Sequence, residues 1–387
     1  MDISRGFALT VKNITVLGSG IMGHGIAQVS AMAGYNIVLR DIEQSFLDKA
    51  MEKIRWSLEK LVSKEKITKQ ESDAILSRIK TVVDLGQAVQ SADLVIEAVP
   101  EIMELKKKVY AELDKVADSR IIFASNTSTL PITEIANTTS RPEKFVGIHF
   151  FNPPQLMKLV EVIPGQKTNK DVVDLTVNFV KSVKKEPVIC KKDVPGFIVN
   201  RLFIPMVHEA CWLKERSGYT MEQIDSAVKF TMGFPMGIFE LADFTGMDVI
   251  HKATIELELR DKKVIFPHPD IEKLYNEKKL GQKSGEGFYK YSDDKYERIQ
   301  LDEDLAKKCN PVSLVANILN NAAWLVTNNA SDIPEIEKAA QLGLGLKKPI
   351  FDTAKEFGVK NIISELNSLA SKYGKFYEPD PLLATMQ

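Results

Sequence analysis

The stretch GIHFFNPPQLMKLVEV, residues 147–162, sets His149 among aromatics and prolines and Glu161 in the middle of an apolar run. Burying an ionisable pair is costly unless each group satisfies the other. A carboxylate bonded to one imidazole nitrogen fixes the tautomer of the ring. It also stabilises the imidazolium that forms when the second nitrogen takes a proton. His149 and Glu161 are therefore a candidate general base and its orienting acid, suited to removing the proton of an alcohol. The competing reading is a core histidine bonded to a backbone carbonyl. The other histidines are His24 in a glycine loop, His208 and His251 in helical patterns, and His268 in a Pro-rich loop. Packing or surface roles are expected for them.

Oxidation of an alcohol needs a hydride acceptor as well as a base, and VLGSGIMGHGIA offers a place for one. Gly18, Gly20 and Gly23 stand in G-x-G-x-x-G order, with Ile21 and Met22 between them. The first glycine permits the turn out of a strand, the second lets the backbone approach a pyrophosphate, and the third lets helix and strand pack closely. A strand precedes the loop and a helix follows, whose N-terminus favours negative charge. Asp41 ends the next strand, placed to accept hydrogen bonds from ribose hydroxyls. That favours NAD, while the neighbouring Arg40 leaves NADP possible. The alternative is a merely structural glycine turn.

The elements that must position these groups are legible as patterns. ITVLGSG, YNIVLRD, DLVIEAV, RIIFASN and KFVGIHF read as strands separated by helix-like segments, which implies a parallel sheet. Between Ile42 and Ile79 a charged stretch reads as two antiparallel helices inserted after the second strand. The first of them should bury Phe46, Ala50, Ile54 and Leu58. From about Asp193 helical patterns dominate, with Pro195 and Gly196 at the boundary. The expected class is α/β: a Rossmann-like doubly wound sheet with an inserted helical pair, followed by two all-α helical domains.

Two helical domains are expected because the chain repeats itself. Val207 to Gly246 superimposes on the sequence 112 residues further on, bringing Ala210, Trp212, Gly233, Phe239 and Gly246 onto Ala322, Trp324, Gly345, Phe351 and Gly358. The expected domains are 1–196 for nucleotide binding, 197–292 for a helical domain, and 293–387 for a degenerate second copy of it.

Composition sets the outer limits. A length of 387 residues favours two or three domains. A net charge of -1 argues against nucleic acid and anionic membranes as partners, so any anionic ligand must be held by local cations. Cys190, Cys211 and Cys309 are far apart, which points to a reducing compartment and no metal site. The N-terminal MDISRGFALTVKN lacks a signal-peptide core, and no apolar run reaches transmembrane length. A cytoplasmic location is expected.

With these residues in place the chain resembles the L-3-hydroxyacyl-CoA dehydrogenase family, of the 3-hydroxybutyryl-CoA type. The resemblance rests on VLGSGIMGHGIA, DLVIEAVPE, FASNTSTLPITEIA, GIHFFNPPQLMKLVEV, KKDVPGFIVNRL, GFPMGIFELADFTGMD and KSGEGFYKY, in family order. It implies reversible, NAD-dependent oxidation of a short-chain 3-hydroxyacyl-CoA as part of fatty acid metabolism. His149 would be the base, Glu161 its partner, and Ser128 and Asn200 the groups that bond the reacting substrate. Both could instead be helix caps. Glu101 and Lys106 would lie along the cofactor, Asn152 near the nicotinamide, and Ser57 and Lys64 against coenzyme A. Single-copy relatives end near Tyr291, and their helical domain pairs with its twin in a dimer. The second copy would take the twin's place, giving a monomer with an internal pseudo-dimer, although a homodimer stays open. Val312 stands where the first copy has Asn200, so the second copy is expected to be non-catalytic. Two other functions remain possible: a dehydrogenase of a free 3-hydroxy acid, and a silent nucleotide-binding protein.

Overall fold

The computed structural model describes residues 11–292 and 295–386. The first ten residues, which include most of the N-terminal segment read for a signal peptide, lie outside the described residues. The chain divides into two compact units, Met1–Asp193 and Val194–Gln387.

The first unit runs β1 (Asn13–Leu17), α1 (Ile21–Met32), β2 (Asn36–Arg40), α2 (Gln44–Ser63), α3 (Lys69–Ser77), β3 (Ile79–Val82), α4 (Leu85–Val89), β4 (Leu94–Glu97), α5 (Met103–Val116), β5 (Ile122–Ser125), α6 (Ile132–Ala136), β6 (Phe145–Phe150), β7 (Leu159–Pro164), α7 (Lys170–Ser182) and β8 (Glu186–Ile189). These strands form one sheet in the order β3-β2-β1-β4-β5-β6-β7-β8. All neighbours are parallel except β6 and β7. The central strands carry apolar side chains on both faces because helices cover both. β4 and β6, for example, are buried at every position.

α2 and α3 are the inserted helical pair. Thr68 and Glu71 form a capping box that starts α3, each side chain bonding the other's backbone N–H. The buried stripe of α2 is Leu47, Ala50, Met51, Ile54 and Leu58, the i, i+3, i+4 spacing of one helix face. Phe46 is not part of it. It is 41% exposed, because in the first turn of α2 it lies one residue, or about 100°, off the packed face.

The second unit is helical: α8 (Val199–Ser217), α9 (Met221–Ser226), α10 (Ile238–Thr245), α11 (Met247–Arg260), α12 (Pro269–Asn276), a short hairpin of β9 (Tyr291–Ser292) and β10 (Lys295–Tyr296), then α13 (Glu303–Ala306), α14 (Val312–Thr327), α15 (Ile333–Gly343), α16 (Ile350–Phe357), α17 (Val359–Tyr373) and α18 (Pro381–Thr385). The 112-residue offset recurs in the backbone. It carries α10 onto α16 and the start of α11 onto the start of α17. Thr220 and Asp332, which it also pairs, both cap a helix through a side-chain oxygen. Gly246 and Gly358 match as well, with positive φ of 100° and 80° at the tight passage between consecutive helices. The two stretches that the offset relates lie in one compact unit rather than two, and α8 packs against α14. Among the described residues no helix is long and apolar enough to cross a membrane.

Candidate active site

The glycine loop leaves β1 and enters α1. Gly18 has φ +92°, and a Cβ there would come within 2.6 Å of the Ala98 carbonyl oxygen at the exit of β4. A Cβ on Gly23 would lie 1.8 Å from the Gly18 carbonyl oxygen, so no side chain fits. Gly20, the N-cap of α1, faces no atom within 4 Å, and the first turn of the helix holds no acid. Open space before free N–H groups at a helix start is what a dinucleotide pyrophosphate requires. Ile21 and Met22 begin α1. Asp41 follows β2 and closes the loop from the side. Its Oδ2 accepts the N–H and the O–H of Ser19, both at 2.6 Å. Arg40 donates from Nε to the Val83 carbonyl at 3.0 Å. His24 bonds the Gly20 carbonyl through Nδ1 at 2.7 Å, and its pKa is lowered, chiefly by burial.

His149 is the next-to-last residue of β6. It lies directly across from Glu161 on β7 in the one antiparallel pairing of the sheet. Opposed positions on adjacent strands put side chains on one face, and His149 Nδ1 meets Glu161 Oε2 at 2.7 Å. Both are buried, at 3% and 0% exposure. The ring also packs against Phe151, centroid to centroid 4.4 Å. The strand end is tied to its neighbour, since Asn126, after β5, accepts the Phe150 N–H at 2.9 Å.

A second ionic group sits at the ends of β4 and β5. Lys106, on α5, is 1% exposed and bonds Glu97 Oε1 at 2.6 Å and Glu101 Oε2 at 3.2 Å. Burial works to lower its pKa, but the two carboxylates outweigh that and hold it above the usual lysine value. Glu101 has the mirror-image balance: burial raises its pKa, and Lys106, Thr127 and Ser128 together bring it below the usual carboxylate value. Its Oε1 accepts the Thr127 O–H at 2.5 Å and the backbone N–H groups of Ser128 at 2.8 Å and Thr129 at 3.2 Å. The acid thus gathers the loop that carries Ser128. Glu97, Thr127 and Asn126 were not singled out in the sequence. Glu97 carries the same signal as Glu161, an acid inside an apolar run, and is wholly buried.

Ser57 sits on α2, where its hydroxyl accepts from Gln28 at 2.9 Å, and Gln28 in turn accepts from Gln155 at 3.2 Å. All three line a cavity of about 690 Å³ whose wall carries five cations, Lys66, Arg78, Lys158, Lys184 and Lys185, against one acid, Glu71. Lys185 is buried, which lowers its pKa, and its ammonium donates to the Met157 carbonyl at 2.7 Å. Lys64 does not line this cavity and stands exposed at the end of α2. Asn152 is exposed in the connection between β6 and β7. Asn200 is the second residue of α8, in the second unit.

This geometry has known counterparts. Residues 13–194 match the description "3-hydroxyacyl-CoA dehydrogenase, NAD binding domain", and residues 196–291 match "3-hydroxyacyl-CoA dehydrogenase, C-terminal domain". The chain belongs to the 3-hydroxyacyl-CoA dehydrogenase family. It is 44% identical over 291 residues to the mitochondrial hydroxyacyl-coenzyme A dehydrogenase of Rattus norvegicus, covering 73% of this chain and 92% of the relative. It is 40% identical to the 3-hydroxybutyryl-CoA dehydrogenase of Clostridioides difficile, over 72% of this chain and 99% of that one. The crystal structure of 3-hydroxybutyryl-CoA dehydrogenase from Escherichia coli superimposes with a TM-score of 0.85 at 29% identity, covering 97% of this chain and 98% of that one. The E. coli dehydrogenase therefore shares the helices beyond residue 291 that neither family description reaches. In this family the first unit is the NAD-binding domain.

Proposed function

We propose that the chain catalyses reversible oxidation of an (S)-3-hydroxyacyl-CoA to the 3-oxoacyl-CoA, with 3-hydroxybutyryl-CoA and acetoacetyl-CoA as its physiological pair. The observation that carries this reading is the 2.7 Å bond between buried His149 and Glu161 at the carboxyl edge of an NAD-binding sheet. NAD, when bound, supplies the acceptor for the hydride that leaves the substrate carbon. His149 takes the hydroxyl proton on Nε2, since Nδ1 is engaged by Glu161. The Glu161 carboxylate stabilises the imidazolium so formed. Ser128 and Asn200 are assigned as neutral donors to the substrate oxygen, where charge develops in the reverse direction. Glu101 and Lys106 are assigned to the cofactor's side of the site, with Asn152 toward the nicotinamide. Asp41 at the end of β2 supports NAD over NADP.

The coenzyme A end carries phosphates that need cations, and the chain's net charge of -1 supplies no general attraction. The cation-lined cavity beside Ser57 answers that need and favours a thioester over a free 3-hydroxy acid. The short chain length rests on the 3-hydroxybutyryl-CoA dehydrogenases among the relatives. The division of the helical unit near residue 292, a non-catalytic second copy with Val312 in place of Asn200, and a cytoplasmic setting belong to the same proposal.

The test is a steady-state series of 3-oxoacyl-CoA lengths with NADH and NADPH, followed at the NADH absorbance band. Turnover of acetoacetyl-CoA with NADH and none of acetoacetate is expected. Preference for free acetoacetate would replace the thioester reading, and no oxidation with any member would leave a silent nucleotide-binding protein.

A further inference from the structure

The order of strands sets the direction of a bound dinucleotide. Its pyrophosphate belongs at the glycine loop after β1, and its adenosine ribose at Asp41 after β2. The nicotinamide half then extends the other way from β1, toward His149 on β6. In the run β1-β4-β5-β6 only β4 and β5 stand between.

Both of those strands end in one buried cluster of charge. Glu97 closes β4 and Ser125 closes β5. Glu97 is wholly buried. Its Oε1 accepts from Lys106 at 2.6 Å and from the Val99 N–H at 2.7 Å, and its Oε2 accepts the Ser125 O–H at 2.7 Å. Lys106 also pairs with Glu101 at 3.2 Å, and among the described residues it is the only cation that either acid meets. Burial works to raise the pKa of Glu101, but Lys106, Thr127 and Ser128 outweigh it and keep the group ionised. One ammonium therefore stands between two carboxylates, which leaves one negative charge uncompensated. The cluster adjoins the glycine loop. The Val99 N–H bonded by Glu97 belongs to the backbone that a Cβ on Gly18 would strike, at 2.6 Å from the Ala98 oxygen and 3.0 Å from the Val99 nitrogen. A buried charge without a partner is costly. Oxidised NAD carries a positive charge on its nicotinamide and NADH carries none, so only the oxidised form answers the excess.

We propose that the Glu97–Lys106–Glu101 cluster is a tuning element, which binds the cationic nicotinamide of NAD in preference to the neutral ring of NADH. Tighter binding of the oxidised form makes NADH on the enzyme a stronger hydride donor and tilts hydride transfer there toward NADH oxidation. Glu97 does this through its charge, at a position closed to the reacting atoms by its burial. The inference rests on NAD as the cofactor, which the family supplies, and not on the acyl-CoA reading.

The measurement is made without substrate, by fluorescence titration with NADH and displacement of NADH by NAD. Glu101→Gln keeps the size of the side chain and an acceptor for the Ser128 loop while making the cluster neutral. NAD affinity should fall about tenfold, the order expected for one charge at an effective dielectric of about 20, while NADH affinity stays within about twofold. A tenfold shift in the ratio of the two dissociation constants is about 30 mV in the midpoint potential of the bound couple. Glu97→Gln removes the other acid's charge, makes the same prediction, and stands in if Glu101→Gln does not fold. Glu101→Asp keeps the charge and should keep the wild-type ratio. Glu104→Gln, at an 84% exposed side chain of α5, is the control and should leave both affinities unchanged. Equal weakening of NAD and NADH in the neutralised variants means that only loop structure was lost, and it overturns the proposal, as does an unchanged ratio. Failure of the wild-type chain to bind NADH would remove the cofactor itself, and the proposal with it.

Discussion

At the residue scale the candidate site rests on acids in apolar surroundings. An acid in a β-strand is ordinarily solvated, so one flanked by Leu, Val and Ile demands a partner, and Glu161 has one in His149. This much is legible in the sequence, because the cost of burial is a local property of the run. The partner of Glu97 is not legible. Lys106 lies on the following helix amid three consecutive lysines, and only the fold selects the one turned inward. Two variants test the roles. His149→Ala should lower kcat by about 10²–10⁴, the span of a general base. Glu161→Gln keeps the shape of the pair but removes the charge that stabilises the imidazolium. It should also lower kcat, on the order of 10²-fold or more, while NADH affinity measured by fluorescence titration stays within about twofold. A Glu161→Gln enzyme with normal kcat would reduce the acid to a packing role.

At the element scale the alternation of strands and helices in the first half is legible, since parallel strands need crossovers and the crossovers carry helical periodicity. The antiparallel β7 departs from the parallel sheet that this alternation implies. The connection between β6 and β7, residues 151–158, is shorter than the dozen or so residues a parallel crossover needs. The packed face of α2 is less legible, because Phe46 and Leu47 both continue an apolar stripe and only tertiary contact selects Leu47. Helix contacts in the second unit hold a group whose charge state matters. His208 on α8 bonds Thr254 of α11 through Nε2 at 2.8 Å, and its Nδ1 accepts the backbone N–H of His268 at 2.9 Å. Burial, then the nearby His268 and His251, push its pKa down to about 3. Below pH 6.5 the unfolded chain therefore binds a proton that the folded chain refuses. The stability this group contributes is complete above pH 6.5 and is lost as pH falls toward the folded value. The loss is about 1.4 kcal/mol per pH unit, or about 2 kcal/mol between pH 6.5 and pH 5. Buried Asp225, raised to about 7 chiefly by burial, opposes this trend, since its contribution is complete at low pH and is lost as pH rises through about 7. The informative quantity is consequently the stability gap between the wild-type chain and His208→Gln, read from urea midpoints across that range. The gap should shift by about 2 kcal/mol against the wild type on acidification, and a gap independent of pH would show that the histidine titrates normally in the fold.

At the scale of the whole molecule the question is what the second copy is for. Its helices repeat those of the first with coincident starts at α10 and α16 and at α11 and α17, yet the slot of Asn200 holds Val312. The proposed reading, a duplicate that keeps its packing residues and lacks the counterpart of Asn200, gives the second copy a role through its surface. The first copy shows which surface. α8 packs against α14, the Arg201 guanidinium lies 3.3 Å from the centroid of the Trp324 ring, and Glu209 of α8 accepts the Tyr377 O–H at 2.7 Å. An ion-aromatic stack and a buried hydrogen bond between the two copies in one chain occupy part of the helical face that a second chain would need. If single-copy relatives pair this face with a twin, as the family resemblance implies, the duplication makes that pairing intramolecular and independent of protein concentration. The expected result is a particle of one chain, 43.3 kDa, by multi-angle light scattering, with specific activity unchanged on dilution. A particle of twice that mass, cross-linked through helices within Val207–Gly246, would mean that the face is still shared between chains and that the second copy serves some other contact.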